Sequence, residues 1–167
     1  EHAGVKVNLL DSPGYADFTG DLRAGLRAAD AALFVVSAAE GIDGTTRMIW
    51  DECATVGMPR AVVITRLDSP RADYDATLAA CQSAFGEGVL PAYLPLHGDA
   101  DDIAGLIGLL SQQVFDYSGG QRVQRDPDPE HLPLIAEHRN ALIEGIIAES
   151  EDETLMDRYL AGEDIDV

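Results

Sequence analysis

The sequence is poor in positive charge. Lys and Arg together supply 11 of its 167 residues against 30 Asp and Glu, so the formal net charge is −19 at pH 7. Lysine occurs once, at Lys6. Because proteins hold nucleic-acid phosphates chiefly through Lys and Arg, this balance excludes a general nucleic-acid-binding surface.

Cysteine and long apolar runs are also scarce. Cys53 and Cys81 are the two cysteines, and both fall in predicted helices without nearby ligand residues. They predict a reducing compartment and neither a disulfide framework nor a metal site. No apolar run approaches the roughly 18 residues of a membrane-spanning helix, and no charged-then-apolar signal opens the chain. We therefore expect a cytoplasmic protein without a membrane partner.

The first half of the chain alternates strand and helix patterns. Ala31 to Ser37 is a continuous apolar run of strand length, which is typical of a central strand covered on both faces. The other predicted elements are the strands Val5 to Leu10 and Ala61 to Thr65 and the helices Ala16 to Ala29, Thr45 to Val56 and Ser69 to Phe85. Their short connections predict right-handed crossovers and a parallel sheet.

The second half predicts a small sheet followed by helices. Pro91 and Pro95 limit Val89 to His97 to an edge strand at best. Further sheet segments are predicted at Ile103 to Leu110, Gln113 to Tyr117 and, after a turn at Gly119-Gly120, Gln121 to Arg125. A long helix is expected to begin at Pro129, and a last helix to be capped by Ser150 with Glu153.

An acidic turn follows the first predicted strand directly, as Asp11-Ser12-Pro13-Gly14. A carboxylate at the carboxyl end of a strand lies where open α/β sheets bind ligands, and a glycine lets the backbone approach a phosphate. In one interpretation, Asp11 faces a magnesium ion and the amide of Gly14 faces a terminal phosphate. For these four residues alone, however, the favoured interpretation is an ordinary turn with proline at its second position.

Four stretches resemble the translational GTPases. The sequence VNLLDSPGYADFTGDLRAGLRAADAALFVVSAAEGI is similar to their switch II region, most of all that of elongation factor G. VVITRLD, from Val62 to Asp68, resembles their guanine-recognition strand and loop. EGVLPAYLPLHGDADDIAGLIGLL and EHRNALIEGIIAESEDETLMDRYLAGEDI resemble the subdomain that elongation factor G inserts in its GTPase domain. The likeness covers nearly the whole chain and identifies it as a GTPase-domain segment of an elongation factor G-like paralogue.

The resemblance implies an α/β fold in two parts. Residues 1–88 would form a partial P-loop-GTPase-like core, a parallel sheet with flanking helices, and residues 89–167 a small inserted α/β subdomain with acidic C-terminal helices. The implied nucleotide contacts are Asp11, which would bind Mg²⁺ through water, and Pro13, Gly14, Thr65, Arg66 and Asp68. Asp68 would accept two hydrogen bonds from guanine. The intact protein is expected to bind GTP or GDP with Mg²⁺ and to hydrolyse GTP on the ribosome, with the stalk protein as a candidate partner.

Two departures from the family keep a second interpretation open. The phosphate loop Gly-x-x-x-x-Gly-Lys-Ser/Thr does not occur in the 167 residues, so we expect no tight nucleotide binding by this chain alone. Tyr15 stands where the family has a catalytic histidine, and a neutral phenol cannot supply imidazolium character. The alternative is a degenerate, non-hydrolysing GTPase-like domain that acts as a ribosome- or protein-binding module.

Overall fold

The computed structural model describes residues 4–13, 15–98, 102–150, 152–163 and 165. These residues form two compact units, one within Glu1–Asp73 and Ser83–Phe85 and the other within Tyr74–Gln82 and Gly86–Val167. The predicted α/β class is confirmed, with a parallel sheet in the first unit and an antiparallel sheet in the second. No helix in the described part of the chain is long and apolar enough to span a membrane.

The first unit is built on two parallel strands and the helix that connects them. In chain order it contains a 3-10 turn (Ala16–Phe18), helix α1 (Thr19–Leu26), strand β1 (Ala32–Ser37), helix α2 (Gly44–Thr55) and strand β2 (Arg60–Thr65). Strands β1 and β2 pair in parallel from Ala32 opposite Arg60 to Ser37 opposite Thr65. The predicted strand, helix, strand unit with parallel pairing is therefore confirmed at this point.

Helix α2 begins and ends where the sequence supplies caps. The Asp43 carboxylate accepts a hydrogen bond from the Thr46 amide at 2.7 Å, and this bond lowers the pKa of Asp43. Gly57 follows the helix with a φ of +66°, a left-handed conformation that glycine adopts without a steric penalty. These two positions fix the length of the crossover between the strands.

Apolar side chains from one face of the sheet and from α2 form the core of the first unit. Phe34 of β1 and Trp50 and Cys53 of α2 are buried there. The ring of Phe85 stacks on the indole of Trp50 with centroids 4.3 Å apart, and the Arg60 guanidinium lies 4.4 Å from the indole centroid. Aromatic stacking and cation–π attraction add to the burial energy of this group.

Two predictions for this unit are wrong. Residues 6–10 have no regular secondary structure, so Val5 to Leu10 is not a strand, and Leu9 is 86% exposed. Strand β1 is covered on one face only, because Leu33 and Val35 on its other face are 59% and 65% exposed. A strand needs a neighbour for its hydrogen-bond ladder, and in the described residues β1 and β2 pair with each other alone. An apolar run shows that a segment tends toward burial, but it does not specify what covers it.

The second unit combines four antiparallel strands with helices. Helix α3 (Tyr74–Phe85) contributes Tyr74–Gln82 to this unit and Ser83–Phe85 to the first. The remaining elements are β3 (Tyr93–His97), β4 (Ile103–Gly108), β5 (Gln113–Asp116), β6 (Val123–Arg125), α4 (Leu132–Glu149) and α5 (Thr154–Leu160). The strands lie in the sheet in their chain order. Strand β3 is an edge strand, as Pro95 within it predicts.

The sheet and α4 share the core of the second unit. This core consists of buried residues from β3, β4, β5 and α4 and from the turn after β4, namely Leu94, Leu96, Ile107, Leu109, Val114, Ile135 and Leu142. Strands β4 and β5 approach closely at Gly105, where an added Cβ would overlap the carbonyl oxygen of Phe115 and lie 3.1 Å from the Asp116 Cα. Only glycine permits this approach.

Helices α4 and α5 differ from the prediction at their first turns. Helix α4 begins at Leu132 with Pro133 in its first turn, so Pro129 precedes the helix instead of opening it. Before α5, the Asp152 carboxylate accepts hydrogen bonds from the Thr154 amide at 2.9 Å and the Thr154 hydroxyl at 2.7 Å. The predicted capping box of Ser150 with Glu153 does not form, because the Ser150 hydroxyl oxygen accepts from the Asp152 amide at 3.0 Å and the Ser150 amide donates to the Ile147 carbonyl at 3.3 Å.

Both cysteines are free and buried, Cys53 in the first unit and Cys81 in the second. Burial raises the pKa of each thiol, which keeps it protonated at neutral pH. They behave as small apolar packing residues.

Candidate functional site

Strands β1 and β2 end side by side, because Ser37 is paired with Thr65. The Ala38 amide donates a hydrogen bond to the Thr65 carbonyl at 2.9 Å, and the Thr65 hydroxyl donates to the Val36 carbonyl at 3.4 Å. The loops that follow the two strands therefore start next to each other. In open α/β sheets, this carboxyl edge is where ligands bind.

The loop after β2 contains three predicted site residues, Thr65, Arg66 and Asp68. Arg66 has a φ of +58°, in the left-handed region that few residues other than glycine adopt. The Ser69 amide donates to the Arg66 carbonyl at 3.1 Å and closes a turn in which Asp68 is exposed. A carboxylate exposed at this edge can accept two hydrogen bonds from one ligand.

Glu40, in the loop after β1, contacts a predicted site residue and is absent from the sequence-based predictions. Its Oε1 lies 2.6 Å from Nη1 of Arg66, and the two side chains are 62% and 61% exposed. The turn that carries Glu40 is closed by the Gly41 amide, which donates to the Ser37 carbonyl at 2.9 Å, and Gly41 has a φ of +78°. An acid followed by glycine in the turn after a strand, three residues beyond Ser37, is the local signal at this position.

Asp11, Pro13 and Tyr15 lie in the segment before the 3-10 turn. Asp11 and Pro13 are exposed, and Tyr15 is 79% exposed. Gly14, the predicted phosphate contact, lies outside the described residues. The prediction that Asp11 ends a strand of the sheet is wrong, because residues 6–10 form no strand.

The predicted site residues thus fall into two groups within the first unit. One loop brings Thr65, Arg66 and Asp68 together, and an irregular segment carries Asp11, Pro13 and Tyr15. That segment approaches helix α1 at Ser12, since a Cβ added to Gly25 would lie 3.2 Å from the Ser12 hydroxyl oxygen.

An ion pair connects helices α1 and α2. Nη2 of Arg23 lies 2.5 Å from Oε1 of Glu52, and the side chains are 55% and 31% exposed. The hydrogen bond from Arg23 lowers the pKa of Glu52, and the same bond raises the pKa of Arg23. Both helices belong to the first unit, and the pair joins elements that are well separated in sequence.

Asp11 has the chemistry of a magnesium ligand. It offers an exposed carboxylate, and Mg²⁺ prefers oxygen donors. Because Mg²⁺ usually keeps several waters and takes only one or two protein carboxylates plus substrate phosphates, a single aspartate in this chain fits such an ion.

A second group of ligand-type side chains lies before α4. Ligand atoms of Asp128, Glu130 and His131 lie within 4.8 Å of one another. However, Nη1 of Arg125 already binds Asp128 at 2.9 Å, and the positive end of the α4 dipole faces this region. Both features oppose a cation, so this cluster is explained by local ion pairing.

Comparison with known proteins assigns the chain to a family. The model of the elongation factor Tu GTP binding domain matches residues 1–160. The chain therefore belongs to the family of the elongation factor Tu GTP binding domain, and the resemblance to translational GTPases is confirmed.

Two curated relatives come from Mycobacterium tuberculosis, strains CDC 1551 / Oshkosh and ATCC 25618 / H37Rv. Each is an elongation factor G-like protein that is 61% identical to this chain over 163 residues. The match covers 98% of this chain, but the chain spans only 22% of each relative's length.

A similar solved structure is a crystal structure of a protein from Thermus thermophilus. It matches with a TM-score of 0.79 and 37% sequence identity. The match covers 92% of this chain and 22% of the solved chain. A score of this size over nearly the whole chain supports the fold of both units, each taken by itself.

Proposed function

We propose that the loop after β2 forms the base-recognition part of a guanine-nucleotide site. The observation that carries this proposal is the exposed Asp68 carboxylate in a Thr-Arg-Leu-Asp loop at the carboxyl edge of a parallel sheet. Thr65 and Arg66 complete that side of the site. Family membership supports the same interpretation, since the matching domain is a GTP binding domain.

Asp68 provides the discrimination between bases. Guanine presents N1–H and a 2-amino group as adjacent donors, and a carboxylate accepts both. Adenine offers no such pair, so its binding would leave carboxylate oxygens without partners. Each unmatched group costs about 1–3 kcal/mol, which is enough to reject adenine strongly.

The proposed contacts at the phosphate end of the nucleotide are Asp11, Pro13 and Gly14. Asp11 holds Mg²⁺ through water, and the backbone at Gly14 approaches the terminal phosphate. Mg²⁺ neutralises charge on the phosphoryl oxygens when it is bound. The division into a core at residues 1–88 and an inserted subdomain at 89–167 belongs to the same proposal.

The full-length protein that carries this segment would be a cytoplasmic elongation factor-like GTPase that hydrolyses GTP on the ribosome. The elongation factor G-like relatives support this assignment by their names and by their identity to this chain. The ribosomal stalk protein is a candidate partner of the acidic helices at residues 126–167.

Tyr15 favours a second candidate function, a GTPase-like binding module that does not hydrolyse GTP. The phenol is 79% exposed and stands where the family's histidine orients the attacking water. A phenol can hydrogen-bond a water but stays neutral near pH 7. The second candidate would act by binding the ribosome or another protein instead of hydrolysing GTP.

An Asp68→Asn variant of the full-length protein tests the base assignment. An amide can donate to the 2-oxo group of xanthine, whereas a carboxylate is repelled by it, so the variant should lose affinity for GDP and gain affinity for xanthosine diphosphate. Competition binding with the two diphosphates measures the ratio. Asp30→Asn is the matched control, because Asp30 is exposed and precedes β1 at the opposite end of the strand. An unchanged GDP to xanthosine diphosphate ratio in Asp68→Asn would remove Asp68 from the base site.

A further inference from the structure

We propose that Glu40 is a positioning residue of the base site, which holds the Arg66 side chain where it can cover the face of the bound purine. The inference rests on the proposed guanine-nucleotide site. It adds a residue from the β1 loop to a site otherwise made on this side by the β2 loop. The proposal is supported by the 2.6 Å contact between Oε1 of Glu40 and Nη1 of Arg66.

Backbone hydrogen bonds join the two loops and fix the positions from which the ion-paired side chains extend. The Ala38 amide binds the Thr65 carbonyl at 2.9 Å, and the amides of Glu40 and Gly41 both donate to the Ser37 carbonyl, at 3.3 and 2.9 Å. Glu40 therefore stands on a closed turn directly beside the end of β2. Its carboxylate reaches Arg66 from a position that the sheet register determines.

The backbone of Arg66 supports a functional interpretation. A non-glycine residue in the left-handed region is strained, and such strain persists where surrounding contacts hold it. The Arg66–Glu40 pair is exposed on both sides, and exposed ion pairs contribute little to folding stability. A contribution to folding stability therefore does not explain why an arginine has this strained conformation. Placement of its side chain at the carboxyl edge of the sheet, where ligands bind, does explain it.

Arginine is suited to cover a purine. Its planar guanidinium stacks on aromatic faces, and its flexible stem must lose rotamer freedom when it does so. A partner that restrains the side chain before the ligand arrives removes part of that entropic cost from binding. Because stacking uses the face of the ring, loss of Glu40 should weaken the affinity for all purine nucleotides alike. Asp68 differs, because it is proposed to form hydrogen bonds with the edge of the guanine ring.

The test measures dissociation constants of the full-length protein for GDP and for inosine diphosphate, which lacks the 2-amino group. We expect Glu40→Gln to weaken both by the same factor, about two- to fivefold, the range given by exposed ion pairs. In an Arg66→Ala background, Glu40→Gln should have no further effect. Glu52→Gln breaks the exposed Arg23–Glu52 pair of the same unit and serves as the matched control, with unchanged affinity.

A charge swap separates positioning from simple pairing. The double variant Glu40→Arg/Arg66→Glu retains an ion pair between the loops but moves the cation away from the β2 loop. We expect its affinity for GDP to remain reduced, and recovery to the wild-type value would overturn the proposal.

Two other results would also overturn it. The first is unchanged GDP affinity in Glu40→Gln, and the second is an equal loss in the Arg66→Ala background. Wild-type protein that fails to bind GDP would refute the proposed nucleotide site itself, and this inference with it. Wild-type binding with an ineffective Glu40→Gln refutes the inference alone.

Discussion

Replacing Gly105 by alanine should destabilise the second unit, because β4 and β5 are too close there for a side chain. The new Cβ would overlap the Phe115 carbonyl oxygen and lie 3.1 Å from both the Phe115 carbonyl carbon and the Asp116 Cα. Ordinary contacts begin near 3.4 Å, and every one of these atoms is backbone. Strand β5 is hydrogen-bonded to β4 on one side and β6 on the other, so it cannot move away without breaking a ladder.

Overpacking of this kind typically costs about 1–3 kcal/mol in the free energy of unfolding. With a urea dependence of about 2 kcal/mol per molar, a cost near 2 kcal/mol lowers the unfolding midpoint by about 1 M. Urea titration followed by far-ultraviolet circular dichroism measures that midpoint, and hydrogen exchange of the β4 and β5 amides locates the change.

Gly88→Ala is the matched control for this substitution. Gly88 belongs to the same unit, has no heavy atom within 4 Å of an added Cβ and does not have a left-handed backbone. Its replacement should leave the midpoint unchanged or raise it slightly, because alanine restricts the unfolded chain. A Gly105→Ala midpoint equal to that of the wild type would show that the β4–β5 register is incorrect.

The remaining predictions concern a helix cap of the first unit, the chemical step and nucleotide affinity. Asp43→Ala should lower the free energy of unfolding by about 0.5–2 kcal/mol through loss of the α2 cap. The control Asp51→Ala, at an exposed position of the same helix, should lower it less. The urea unfolding midpoints of the two variants measure the difference. Because the pKa of Asp43 is lowered in the folded state, the stability that its charge contributes should be complete above the unfolded pKa near 4 and be lost as pH falls through the folded pKa, so the Asp43→Ala difference should shrink in acid. In the full-length protein, Tyr15→His should raise ribosome-stimulated GTP hydrolysis by up to about 10²–10⁴-fold with GTP affinity unchanged; equal single-turnover rates would show that this position does not limit the chemistry. The 167-residue chain alone should bind GDP with Mg²⁺ negligibly, since it contains no phosphate-loop motif, and a micromolar constant by calorimetry would contradict this expectation.

Sequence patterns predicted the elements whose signals are local. The β1–α2–β2 unit follows from two apolar runs separated by a helix pattern that ends before Gly57. The edge position of β3 follows from Pro95, which cannot donate to a ladder. In each case the deciding chemistry lies within a few residues of the element.

The failures depend on contacts that a local pattern does not contain. Val5 to Leu10 has a strand-like composition, yet a strand also requires a hydrogen-bonding neighbour. Leu33 and Val35 have the composition of buried residues, yet one face of β1 is open to solvent. Burial on both faces depends on what lies above and below the sheet, which apolar composition does not encode.

The candidate site was predicted in part. The Thr65, Arg66 and Asp68 loop came from a short motif, and the structure places it at the carboxyl edge of the sheet. Glu40 was missed because its importance arises from a contact with Arg66, 26 positions away. Contacts between residues this far apart in sequence depend on the register of β1 against β2, which a local sequence pattern does not contain.

The packing around Trp50 gives the protein an intrinsic optical reporter. Trp50 is the single tryptophan, 8% exposed, with the Phe85 ring stacked on it and the Arg60 guanidinium against it. Its emission should therefore be blue-shifted in the folded protein and move to longer wavelength when the last turn of α3 leaves the indole. Because the other aromatic residues are phenylalanine and tyrosine, excitation at the red edge of the absorption band reads this one location without any added label.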